Sequence, residues 1–240
     1  MRASSPAGDS RRTRGRLGRA RGGPVGAYGR RGVAAARGAA LLLALLLCSA
    51  AAASAAEGDA LKLFQEGRHE DARRVSLEAL RADPADVESY VVLCWSLLAL
   101  ERWADAENYA LKAYAIRKDP RVTEILGESA FRLGRNEAAL SRFQDYVSAV
   151  PEGSRVGTAY YYMGEIYLRM ARYAHADIAL SSALKFAPGN ARWWARLGWA
   201  REKAGETQGA LAAYAEALRL DPRQEDARLG AERLQARSRG

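Results

Sequence analysis

His69, His175, Cys48 and Cys94 are the side chains of this 240-residue chain best suited to metal or nucleophilic chemistry, and their spacing assembles neither. A zinc site needs three or four ligands arriving from closely spaced pairs, whereas the two histidines stand in different segments without the neighbours that a ligand set requires. No H-E-x-x-H, paired C-x-x-C, G-x-S-x-G or phosphate-cradling glycine loop occurs. Cys94 lacks a basic neighbour to draw off its proton and is expected to be a buried, inert thiol. Two cysteines, one of them near the N-terminus, build no disulfide framework. These residue types point away from an enzyme, and neither a cofactor nor a metal is expected. What remains is recognition: tryptophans, tyrosines and glutamates of the kinds that hold a peptide or a helix.

The elements that would position them repeat. "GRHEDARRVSLEALRADP" (67–84), "ERWADAENYALKAYAIRK" (101–118), "GRNEAALSRFQDYVSAVP" (134–151), "ARYAHADIALSSALKFAP" (171–188) and "GETQGALAAYAEALRLDP" (205–222) begin 34, 33, 37 and 34 residues apart. In the second unit Tyr90, Leu93, Cys94 and Leu97 fall three or four apart, on one helical face, and Ala106, Ala110 and Ala113 do the same on the helix that follows. Gly67, Gly134 and Gly205 stand between the two helices, where a left-handed residue ends the first. Gly127, Gly164 and Gly198 allow close approach of the paired helices, and prolines mark the unit ends.

On these residues the chain resembles the tetratricopeptide repeat family, whose pattern is W-x2-L-G-x2-Y, then A-x3-F, then P. The fifth unit carries Trp194, Leu197, Gly198, Ala210, Tyr214, Ala217 and Pro222; the fourth carries Tyr160, Met163, Gly164, Tyr167, Ala176, Ala183 and Pro188. The resemblance implies an all-α fold: an α-solenoid, wound as a right-handed superhelix, of about five helix-turn-helix repeats (57–86, 87–119, 120–156, 157–190 and 191–222) and a C-terminal capping helix within 223–240. A single hairpin cannot bury its apolar face alone, and stacking on neighbours supplies the core. The longer spacing around residues 152–157 is expected to open the stack slightly.

The resemblance also implies a groove lined by places two, five, nine and twelve of each first helix. That stripe comprises Glu88, Val91, Trp95 and Leu98; Arg121, Glu124, Glu128 and Phe131; Thr158, Tyr161, Glu165 and Leu168; and Arg192, Ala195, Trp199 and Glu202. Trp95 and Trp199 share place nine in separate units, with Tyr161 between them, as anchors for a peptide or helix. Trp103, Trp193 and Trp194 are expected to be structural. Place nine lacks the asparagine by which related modules clamp the acidic tails of chaperones. Glu124, Glu128 and Glu165 instead suggest a partner bearing positive charge.

Charge divides the chain sharply. Residues 1–38 hold ten arginines against Asp9, and the remainder holds 27 basic and 27 acidic residues, so the net charge of +9 belongs to the leader. A neutral remainder disfavours nucleic acid as a partner. The basic start, the apolar run after Gly38 and the site Ala53-Ser54-Ala55 form the three parts of a secretory signal peptide over residues 1–56. The uncharged stretch from Gly38 to Ala56 also approaches the roughly 20 residues of a membrane anchor. A lipoprotein signal fits less well, because Leu47 precedes Cys48. The chain is therefore expected to be exported, periplasmic or anchored in the inner membrane facing the periplasm, as a scaffold for an envelope-associated complex. The alternative is an anchored accessory subunit of an envelope enzyme, secretion or motility complex.

Overall fold

The computed structural model describes residues 59–237, in which all regular structure is helical. The expectations for a leader over 1–56 lie outside the described residues. The helices follow in pairs: α1 (59–65) and α2 (His69–Ala82), α3 (Val87–Ala99) and α4 (Trp103–Ile116), α5 (Pro120–Arg132) and α6 (Asn136–Ala149), α7 (Val156–Arg169) and α8 (Tyr173–Phe186), α9 (Ala191–Ala204) and α10 (Thr207–Leu220), then α11 (Glu225–Arg237). No helix among the described residues is long and apolar enough to cross a membrane.

Local chemistry sets the ends of these helices. Asp86, Asp119 and Asn190 accept backbone N–H bonds at the starts of α3, α5 and α9, taking up donors that the first turn leaves free. Pro120 does not close the second unit; it opens α5, where its missing N–H is no loss. Gly67, Gly134 and Gly205 turn the chain between paired helices with φ of +76°, +76° and +84°. Glu101 and Ala171 make the same turn in the other two units, with φ of 58° and 55° and no glycine to ease it.

Packing follows the period. The five alanines that open the second helices (Ala72, Ala106, Ala139, Ala176 and Ala210) are wholly buried. Where the helices of the fifth unit cross, a Cβ on Gly198 would lie 2.5 Å from the Tyr214 ring. The core crosses the unit boundaries in three clusters: one joins α2 to α5, a second runs from α5 to Ala213 on α10, and a third seals α9 and α10 under α11 through Ala227 and Leu234. The α6–α7 pair is the least closely packed sequential pair between α2 and α11. It is the joint with the longest repeat spacing.

Candidate functional site

One cleft of about 500 Å³ is assembled from three successive units: Phe64 from α1; Trp95, Leu98 and Ala99 from α3; and Glu128 and Arg132 from α5 with Arg155, which ends the third unit at the entry to α7. Trp95 lies 5.9 Å from the Phe64 ring, and both Trp95 and Leu98 are half-buried against the core beneath. Of the stripe inferred from sequence, Trp95, Leu98 and Glu128 meet here. Phe64, Arg132 and Arg155 complete the cleft and were not foreseen. Phe64 stands three residues before Gly67, as Leu98 stands before Glu101 and Phe131 before Gly134, so its register was visible even in a degenerate first unit.

Trp199 lies further along the stack, in a smaller cleft of about 240 Å³ with Ala195, Arg196, Tyr214, Asp226 and Arg233. Its ring already has company: Lys203 Nζ stands 4.4 Å from the centroid and the Arg233 guanidinium 5.3 Å. Trp95 has Ala99 where Trp199 has Lys203, four residues on, which leaves its indole without such a cover. Tyr161 stacks at 5.1 Å on Trp193, so Trp193 adds an aromatic surface beside the groove position as well as packing. Leu168 packs against the central core, and Arg192 is exposed.

Four positions of the expected stripe are buried. Val91, Glu124 and Ala195 are only 1%, 2% and 1% exposed, and Phe131 lies under the Arg169 guanidinium, 3.7 Å above its ring. The three glutamates also do not form the acidic groove expected from sequence. Glu124 Oε1 accepts bonds of 2.9 and 2.6 Å from Arg155. Glu128 accepts from Tyr162 Oη at 2.6 Å and from Arg132 at 3.3 Å, with Arg155 3.5 Å away. Glu165 is held bidentately by Arg196 at 2.6 and 2.9 Å. Each arginine partner stands on the same helix, on the next first helix or at its entry, so these carboxylates brace adjoining repeats instead of facing a basic ligand. Glu88–Arg121 and Glu202–Arg233 repeat the device at either end.

The ionisation of these groups follows their surroundings. Burial raises the Glu124 carboxyl above its ordinary value, and Arg155 offsets this only in part. Burial also raises the Tyr162 hydroxyl, and the charge and hydrogen bond of Glu128 raise it further. Cys94, donating its S–H towards the Ala106 carbonyl at 3.5 Å, is pushed up to about 12 by burial, which keeps it a thiol. His175 Nε2 lies 3.0 Å from Arg172, and the His69 ring rests 5.2 Å from Phe64. Among the described residues no three His, Cys, Asp or Glu side chains gather as a metal site would require.

Two family models, both for the tetratricopeptide repeat, match residues 59–163 and 191–224, together more than half of the chain. The chain belongs to the tetratricopeptide repeat family. No curated protein matches its sequence. Among solved structures it is similar to PilF of Pseudomonas aeruginosa (19% identity, TM-score 0.63, covering 79% of this chain and 91% of that one). It is also similar to MamA, from residue 41 to the end, of Desulfovibrio magneticus RS-1 (20%, 0.63, 72% and 97%). A third is YrrB, a tetratricopeptide repeat protein with an unusual peptide-binding site (18%, 0.61, 74% and 90%). At these identities the likeness is one of fold: an all-α solenoid of helical repeats, the architecture of a protein-interaction scaffold.

Proposed function

We propose that this chain is a non-enzymatic adaptor that captures a peptide or helix of a partner protein in the cleft around Trp95. The observation that carries this is the convergence of an uncovered tryptophan, Phe64 and Leu98 in a cleft drawn from three successive units. A half-buried aromatic anchor in a concave site is where binding energy concentrates. The partner is taken to be protein, since the cleft offers an apolar seat of Trp95, Phe64 and Leu98 and the chain beyond residue 38 is neutral overall. The leader supports a finer proposal: export to the periplasm, or retention at the inner membrane facing it, and service in an envelope-associated complex.

A photo-crosslinking residue placed at Leu98, with a second chain carrying one at exposed Leu111 on α4, tests the site. One specific adduct from position 98, lost with Trp95→Ala and absent from position 111, is expected. Equal labelling from both positions would move the contact surface away from the cleft. Intact mass of the chain recovered from cells distinguishes a cleaved product beginning near Ala56 from a retained leader.

A further inference from the structure

In the pairs Glu124–Arg155, Glu165–Arg196 and Glu202–Arg233 the carboxylate is more withdrawn than its guanidinium, whereas Glu88 and Arg121 are comparably exposed. Glu124 is 2% exposed and Glu202 3%, against 45% for their partner Arg155 and 41% for Arg233. Glu128 follows the same arrangement, withdrawn beneath Tyr162, Arg132 and Arg155. From α5 onward this face therefore turns its guanidiniums outward and holds Glu124 and Glu202 at depth, with Glu128 at the wall of the cleft beneath Arg132 and Arg155.

A second observation runs along the stack. Arg132, Arg169 and Lys203 occupy the same place in three consecutive first helices, immediately after the groove's place twelve, and all three are exposed. Arg132 shares the already crowded Glu128. Arg169 lies over the Phe131 ring and donates to the Phe131 carbonyl, Lys203 lies over Trp199, and neither has a carboxylate within ion-pair distance among the described residues. Each sits in the last turn of its helix, where the dipole favours a cation. That accounts for the sign of the charge and leaves its outward face unopposed.

We propose that the cleft takes an acidic segment of a partner protein, with an apolar side chain seated on Trp95, Phe64 and Leu98 and carboxylates lying along the row Arg132, Arg169 and Lys203. The proposal rests on the adaptor function stated above and specifies the chemistry of what is captured. It reverses the sign of partner suggested by Glu124, Glu128 and Glu165 in sequence. Arginine beside an aromatic surface suits carboxylate recognition, because the planar fork donates to two oxygens while its face stays on the ring.

The test is fluorescence anisotropy with three labelled peptides of about twelve residues. They share one pattern of Leu and Phe and carry Glu, Gln or Lys at the intervening positions. The full chain is used, and its Arg-rich leader is common to every variant, so differences between variants report the cleft. The Glu peptide is expected to bind about tenfold more tightly than the Gln peptide at low salt, an advantage that shrinks as salt is raised. Arg132→Glu with Arg169→Glu should abolish that advantage, while Trp95→Ala weakens the Glu and Gln peptides alike. Leu98→Ala provides a second anchor variant, and the melting temperature of each variant establishes that it is folded. Equal binding of the Glu and Gln peptides, both dependent on Trp95, would leave the groove standing and overturn the acidic partner; tighter binding of the Lys peptide would do the same. Displacement of the peptides by an oligothymidylate with the same Trp95 dependence would replace the acidic segment with nucleic acid. Binding of no peptide, or binding indifferent to Trp95 and Leu98, would overturn both the groove and its partner.

Discussion

The guanidinium of Arg155, at the entry to α7, lies 2.6 Å from the carboxylate of Glu124, a fully buried acid on α5, and spans the joint where the repeats pack least closely. Removing one partner of a buried ion pair strands the other. Arg155→Ala is therefore expected to lower unfolding free energy by about 3 kcal/mol at neutral pH. Because burial holds the folded-state pKa of Glu124 above its ordinary 4.5, this group contributes most favourably below that pH and less as pH rises through its folded value. The Arg155→Ala deficit should thus narrow on acidification, and adding Glu124→Gln should recover most of it. Urea titrations at two pH values measure both effects.

Asp119 behaves in the opposite sense. It caps α5 by accepting the Arg121 N–H at 2.9 Å, and the Arg121 guanidinium foremost, with Arg117, holds its carboxyl down at about 2 against an ordinary 3.8. Its contribution is present above pH 3.8 and is lost as pH falls through 2. Asp119→Asn keeps a competent cap and should flatten the stability profile between pH 4 and 2. Asp119→Ala, which loses the cap as well, should cost about 1 kcal/mol more at neutral pH.

Gly198→Ala is a one-methyl test of the helix crossing in the fifth unit. The added carbon would meet the Tyr214 ring at 2.5 Å, and that ring is fully buried between α9, α10 and Gly230 of α11. A loss of about 1–3 kcal/mol is expected, read as a lowered melting temperature. An unchanged value would mean that α9 and α10 do not cross so closely.

Ala171 and Glu101 hold left-handed φ values with side chains attached. Replacing either with glycine should stabilise the chain by up to about 1 kcal/mol, the relief of left-handed strain exceeding the greater freedom gained by the unfolded chain. The same change at Ala99, two residues before Glu101 and in ordinary helical geometry at the end of α3, should destabilise by up to about 1 kcal/mol.

Helix pairing, the turn glycines and the tight crossings were legible in the sequence because each recurs at a fixed place and depends on contacts within one hairpin. Cys94 was legible for the same reason: its neighbours on α3 and α4 are local. The charge of the groove was not. Glu124, Glu128 and Glu165 were placed on the correct helices, but whether a glutamate there faces a ligand depends on an arginine 31 residues downstream or on Tyr162, 34 residues on. The third unit's longer spacing puts Arg155, which belongs to no groove place, across from Glu124. Tryptophans at place nine looked equivalent, and what separates them is the residue four positions on, Ala99 or Lys203.

Glu124 acquires its counterion only when α7 arrives. In a stack whose joints were all alike, units could be shuffled, duplicated or dropped with little consequence. Here the α5–α6 hairpin carries an acid whose arginine stands at the entry to α7, so a copy of that hairpin moved without the chain that follows it would bring an orphaned charge into whatever it leaned upon. Together with Glu88–Arg121, Glu165–Arg196 and Glu202–Arg233, that contact ties each first helix to a particular neighbour.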